Sequence, residues 1–320
     1  MIRRLLFCCL VVLAQSGMAE DKRDQLRVFI CGSSSPLPDL NRARACIAVL
    51  TDSEFFLFDT GSGSSTRLSV GRLPTNRLSG VIFTHFHSDH ISDVYNINLT
   101  SWASGRKYPL PVYGPAGIER VVAGMNDAYE LDRGYRVAHH GEALLNPDHG
   151  MLVPKQIEVG KFYENGKLSI TAISVDHSPI HPAFGYRVDY GDRSVVISGD
   201  TVISRELMKA SEGVDLLLHD ALSVKVLELA IQQSKAAGNE LRARILSDVT
   251  DYHAHTLDIV KAAEAAGVKQ LAFYHMVPPP QNEAAEAIFM EGVPDDVLLT
   301  EDLMWFELPL GSDDLVVRRP

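Results

Sequence analysis

Positive charge is what this 320-residue chain is shortest of: 30 lysines and arginines stand against 41 aspartates and glutamates, a formal net charge of −11 at pH 7. Such a surface repels polyphosphate and weighs against a partner with as many phosphates as tRNA, though it does not exclude a local basic groove. The apolar run Leu5–Ala14 has ten residues, short of the roughly 20 that a membrane span needs. The turn Asp59-Thr60-Gly61-Ser62-Gly63 follows an apolar run but carries neither Gly-Lys-Ser/Thr nor a six-residue dinucleotide fingerprint, which sets nucleotide binding aside. Repeats and low-complexity linkers are also missing.

What is present at the start is the pattern of an export signal. Arg3 and Arg4 precede the apolar run, and Ser16-Gly17-Met18-Ala19 ends in small residues, the order that a signal peptidase reads. The expected division is therefore 1–19 as a signal peptide and 20–320 as one domain, exported to a periplasm or secreted. Losing two arginines and no acid would take the formal net charge from −11 to −13. Cys8 and Cys9 would leave with the signal, while Cys31 and Cys46 remain, flanking a loop between two expected strands. An exported protein can join them; two small buried hydrophobes are the equal alternative.

The composition, 46% apolar and 22% charged, suits a globular domain with a sizeable core. Apolar runs at Leu26–Ile30, Cys46–Leu50, Phe55–Phe58 and Val81–Phe83 are bounded by turn residues and read as strands. The last delivers Thr84-His85-Phe86-His87-Ser88-Asp89-His90, three histidines and an aspartate within seven residues. Imidazole and carboxylate are the donors that zinc and its neighbours take. In an extended loop His85 and His87 would share one ion while Asp89 and His90 face a second.

This order of strand, Asp-Thr-Gly turn, strand and His-x-His-x-Asp-His resembles the metallo-β-lactamase fold. The fold class implied is α/β, a four-layer αββα sandwich with two sheets between outer helices. Gly32-Ser33-Ser34-Ser35-Pro36, together with Asp89, resembles the ribonuclease Z and arylsulfatase-like branch. The likeness runs from about Leu26 to Pro280 and implies where the other ligands lie. His177 ends the strand Leu168–Val175 shortly before Phe184-Gly185-Tyr186-Arg187, with His181 as pocket lining or bystander. Asp200, in Ser-Gly-Asp-Thr, matches the bridging aspartate, and His275 at the end of Gln270–Tyr274 matches the final ligand. The implied set is His85, His87 and His177 on one ion, Asp89, His90 and His275 on the other, with Asp200 between.

Around that set, Asp59 reads as a supporting carboxylate or a plain Asx turn, and His219-Asp220 as support for the site or a strand end. His253, before the helix Leu257–Ala266, is the candidate general acid, since imidazole titrates near neutrality; it joins Asp89 as an expected catalytic residue. His255 competes with it for the place facing the site. Ser101–Gly150 reads as an insertion, with a helix over Ala116–Leu131 and His139-His140 on a loop. Leu222–Leu246 reads as helix broken at Gly238-Asn239, packed on the outer layer or serving as a lid or homodimer contact.

Two divalent ions lower the pKa of a shared water and neutralise an anionic group; nitrogen and oxygen ligation without cysteine suits Zn2+. Three functions follow. The first is an exported hydrolase of a small anionic ester, phosphodiester or sulfate. The second is a ribonuclease Z-type tRNA 3′-processing endonuclease, disfavoured by the acidic charge, the signal and the interval between His177 and Asp200. That interval holds only 22 residues, where bacterial ribonuclease Z proteins typically insert a glycine-rich, basic arm. The third is a non-catalytic metal- or ligand-binding envelope protein, which would have no use for His253.

Overall fold

The computed structural model describes residues 24–320, so the expected signal peptide lies outside the described residues. In chain order the elements are β1 (Gln25–Gly32), β2 (Cys46–Leu50), β3 (Phe55–Phe58), α1 (Ser64–Val70), β4 (Gly80–Ile82), α2 (Ser88–Ile91), α3 (Val94–Ala103), β5 (Leu110–Gly114), α4 (Ile118–Ala128), α5 (Glu130–His140) and β6 (Leu152–Gln156). There follow β7 (Gly160–Asn165), β8 (Leu168–His177), β9 (Ile180–Tyr190), β10 (Arg193–Ile197), α6 (Arg205–Ala210), β11 (Leu216–Leu222), α7 (Val224–Ala236), α8 (Glu240–Asp248), α9 (Thr256–Ala265), β12 (Leu271–Val277), α10 (Glu283–Phe289), β13 (Leu298–Leu299), β14 (Trp305–Pro309) and β15 (Val316–Arg318).

Among the described residues one sheet has the order β15-β14-β1-β2-β3-β4-β5-β6 and the other β13-β12-β11-β10-β9-β8-β7. The central strands β2, β3, β10, β11 and β12 are buried on both faces because each sheet is covered twice, while the edge strands β6, β7 and β15 are partly exposed. Val28, Ile30, Ile47, Phe56, Phe58 and Ile82 turn inward to meet Ile170, Tyr186, Val195, Ile197, Leu216 and Leu218 of the other sheet. Their neighbours in sequence, Phe29, Ala48, Phe55, Leu57 and Val81, pack outward against Leu68 of α1, Ile97 of α3 and Val122 of α4. On the far side Val196, Leu217 and Phe273 pack against Leu207 of α6, Ile259 of α9 and Phe289 of α10. The period-two alternation thus sorts the central strands between a shared core and an outer helix layer, which gives the four-layer αββα sandwich.

Several local expectations are corrected. The segment Ser101–Gly150 is not appended to the fold: β5 pairs in parallel with β4, and β6 with β5. His139 and His140 form the last turn of α5 rather than a loop, because the amphipathic pattern resumes after a break at Tyr129. After the strand carrying His275 the chain returns to the first sheet, where β14 pairs with β1 and buries Phe306 and Leu308. Cys31 and Cys46 are joined as a disulfide between β1 and β2. No helix among the described residues is long and apolar enough to cross a membrane.

Candidate metal centre

The site forms where parallel strands end. β3 and β4 run parallel, as do β10, β11 and β12, so the residues following β3, β4 and β10 and those closing β11 and β12 emerge at one edge of the sandwich. β8, antiparallel to β9, brings His177 to the same edge. The His-x-His-x-Asp-His motif is not wholly extended: His87 is the extended cap of α2, and Asp89 and His90 lie in that helix's single turn. Chain direction therefore changes after His87, which separates the two pairs of side chains.

His85, His87, His177 and Asp200 each offer a donor atom within 4.8 Å of the others, and Asp89, His90 and His275 do the same. Asp200 Oδ2 sits between the sets, 3.3 Å from His90 Nε2, 3.3 Å from His275 Nε2, 3.8 Å from His177 Nε2 and 4.0 Å from His85 Nε2. Asp89 Oδ2 lies 3.2 Å from His275 Nε2. Asp200 reaches this place through Gly199, whose φ of 63° and close approach to Phe184 O leave no room for a Cβ.

The imidazoles are aimed by partners behind them. His90 Nδ1 donates to Asp59 Oδ2 at 2.8 Å, and Thr84 Oγ1 donates to the same oxygen at 2.9 Å while accepting from His85 Nδ1 at 3.0 Å. His177 Nδ1 donates to Tyr252 O at 3.0 Å. Each bond fixes the tautomer that leaves a lone pair on Nε2. Asp59 therefore supports the site, and both it (φ 58°) and His275 (φ 44°) hold a left-handed backbone conformation that persists only where the surroundings enforce it.

Burial pushes the imidazoles of His85, His87 and His177 below the usual histidine value, the neutral form that ligation requires. Burial also works against ionisation of Asp89 and Asp200, yet the adjacent His90 and His275 hold both far below the usual carboxylate range. Burial likewise opposes charge on His90 and His275, and the aspartates Asp200, Asp59 and Asp89 outweigh it at His90, as Asp200 and Asp89 do at His275. A pool of buried carboxylates and imidazoles that must share protons is what a divalent cation would relieve. His85 Nε2, His177 Nε2 and Asp200 Oδ1 are buried without a hydrogen-bond partner among the described residues, an arrangement that costs about 1–3 kcal/mol per group when left so. The donor set fits two divalent ions.

His253, 5% exposed, stacks beside His275 at 5.5 Å and lies 5.4 Å from His177 between ring centroids. Its Nδ1 donates to Asp220 Oδ2 at 2.8 Å, which turns Nε2 toward the ligand cluster; a donor set of Asp200, His253 and His275 also falls within 4.8 Å. Asp220 is fully buried, donates its backbone N–H to Ser198 Oγ at 2.9 Å and has His219 Nδ1 3.0 Å from Oδ1. Burial raises its carboxyl, but hydrogen bonds from His219 and His253 bring it below the usual range. His255 faces away, its Nε2 on Thr250 O at 3.1 Å. His181 is exposed and contacts Ser178 Oγ; His139 and His140 lie exposed on α5. None of these four histidines joins the cluster. Tyr252, whose ring is 4.9 Å from His177 and 4.7 Å from His253, was not marked by any sequence pattern.

Comparison with known proteins places this geometry. A family model described as "Beta-lactamase superfamily domain" matches residues 55–276. A ribonuclease Z of Mycobacterium sp. (strain KMS) is 33% identical over 291 residues, 89% of this chain and 97% of that relative. Among solved structures, the metallo-beta-lactamase fold protein YhfI from Bacillus subtilis superposes with a TM-score of 0.64 at 19% identity, over 89% of this chain and 100% of that one. The short form of human tRNase Z gives 0.63, also at 19% identity and with the same coverage. The chain belongs to the beta-lactamase superfamily, as a metal-dependent hydrolase with the metallo-β-lactamase fold.

Proposed function

We propose that this chain is a phosphodiesterase of the ribonuclease Z type, cutting RNA with two divalent ions, zinc being the best fit to the donors. His85, His87 and His177 would hold one ion, Asp89, His90 and His275 the other, and Asp200 both. Bound there, the ions supply Lewis acidity and a nucleophilic water at neutral pH. The chain's own part is to orient the scissile group between the two sets and to deliver a proton to the leaving oxygen from His253 Nε2. Asp220 holds that imidazole in place through its Nδ1.

The observation that carries the reading is the His253–Asp220 pair set against a seven-ligand cluster, in a chain that aligns with 97% of a relative named ribonuclease Z. The tight β9–β10 hairpin fills the interval where an RNA-gripping arm was expected to be diagnostic. Since 291 aligned residues cover nearly all of that relative, it contains no long segment that this chain lacks, so the arm does not separate the two. The ranking that put a small ester first is therefore reversed.

A small anionic ester is the second reading, favoured by the net charge of −11 and by the Cys31–Cys46 disulfide. A disulfide suits an exported protein; mass spectrometry on chain recovered from its native cell tests export, which requires loss of the first 19 or so residues. Turnover of precursor tRNA, a bis-aryl phosphate and an aryl sulfate, with and without chelator, decides between substrates. Chelator-sensitive tRNA cleavage supports the proposal; efficient turnover of a small ester with intact tRNA overturns it in favour of the second reading.

A further inference from the structure

The C-terminal segment between β13 and β14 touches no expected ligand, yet it is tied to half of the metal centre. Asp302, 6% exposed, accepts four hydrogen bonds: Oδ1 from Ser33 N at 3.0 Å and Ser33 Oγ at 2.8 Å, Oδ2 from Ala43 N at 2.6 Å and Arg67 Nε at 2.7 Å. It thereby closes both ends of the loop joining β1 to β2. From Ser33 the path is short, because Ser33 O accepts the backbone N–H of Met276 at 3.2 Å, next to His275 and its left-handed backbone. From Ala43 the path also leads to a ligand. Arg44 N donates to Ser62 O, Gly61 N donates to Ala45 O at 2.9 Å, and Thr60 N donates to His90 O at 2.6 Å. Thr300, two residues before Asp302, adds its own bonds from N and Oγ1 to Phe273 O, two residues before His275.

Both paths end on the Asp89, His90 and His275 set. The other set is tied less directly: His177 rests on Tyr252 O, and His85 on Thr84, which meets this network only at the Asp59 carboxylate. We propose that Asp302 is a positioning residue for the second ion alone, holding the backbones of His275 and His90 at the spacing that ion requires. The proposal rests on the two-ion reading given above. Asp302→Asn is nearly isosteric, but it turns an amide N–H2 toward one pair of N–H or O–H donors, so two of the four bonds are lost and replaced by facing donors. A group bonded directly to a ligand side chain is worth about 10- to 100-fold in metal affinity; Asp302 acts one step further out, through backbones, so an effect of about tenfold is expected.

The test is zinc titration of the folded full chain against a chromophoric chelator, in three backgrounds. Wild type is expected to bind two ions. In His85→Ala, whose tight ion must use the Asp89 set, Asp302→Asn should weaken that ion about tenfold. In His275→Ala, whose tight ion uses the other set, Asp302→Asn should leave affinity unchanged. Equal weakening in both backgrounds, or none in the first, overturns the proposal. A wild type that binds fewer than two ions overturns the reading beneath it, and the positioning role with it. Should Asp302→Asn fail to fold, Ser33→Ala, which removes one bond to Asp302 Oδ1 and one from Arg42, is expected to act in the same direction with smaller size.

Discussion

Replacing Asp220 by asparagine separates proton delivery from metal binding. The carboxylate is fully buried and accepts from His253 Nδ1 at 2.8 Å, so asparagine keeps the volume but replaces a charged acceptor with a neutral one and loosens the aim of Nε2. A hydrogen bond to a charged group contributes about 1.5–3 kcal/mol, and about 1.4 kcal/mol is tenfold in rate. The proton-delivery step should therefore slow by about 10- to 150-fold. That loss falls only where the leaving oxygen needs a proton. For an RNA or alkyl phosphodiester, kcat should fall by the full amount; for an aryl diester whose phenolate leaves unaided, by less than about threefold. Metal content should not change, since Asp220's partners His219, His253 and Ser198 are not among the seven proposed ligands. The assay is steady-state hydrolysis of both diesters with metal analysis of the same samples. Equal losses on both substrates, or a loss of metal, would refute the assignment of His253 as the acid.

Two further outcomes follow from the geometry. A Cβ at Gly61 would lie 2.1 Å from Asp89 O and 2.7 Å from the Arg44 carbonyl carbon, both backbone atoms that cannot swing aside; Gly61→Ala should lower stability by about 1–3 kcal/mol in denaturant unfolding and weaken metal retention. In chelator-treated protein, thermal stability should peak near neutrality. The depressed His85, His87 and His177 make stability rise as pH climbs toward about 6.5, as do the depressed carboxyls of Asp89 and Asp200 at lower pH. The raised His90 and His275 contribute fully below about 6.5 and lose that contribution as pH rises through their folded values. Melting followed by circular dichroism at pH 5, 6.5 and 8.5 should show this decline on the alkaline side, and metal should remove it because ions take neutral imidazole; a chelated protein that gains stability steadily to pH 8.5 would contradict it.

Strand positions and the ligand cluster were legible because both are written locally. Apolar runs closed by turn residues marked β1 to β4, and the donors either sit within seven residues, as from Thr84 to His90, or close a strand, as His177, Asp200 and His275 do. What the sequence hid depends on distance along the chain. Whether His253 or His255 faces the site is decided by Asp220, 33 residues from His253, and the Ser33–Asp302 contact spans 269 residues. The place of β14 beside β1 is a matter of topology that no local pattern carries. His139 and His140 were assigned to a loop because a break at Tyr129 hides the second helix of a pair.

In the proposed centre Asp200 joins two ions into one hydrolytic unit. Metal content and diester turnover measured together on wild type and Asp200→Ala test it most directly. Two ions and chelator-sensitive turnover are expected in the wild type, with metal-dependent hydrolysis abolished in Asp200→Ala. Full turnover with one ion or none bound would contradict it.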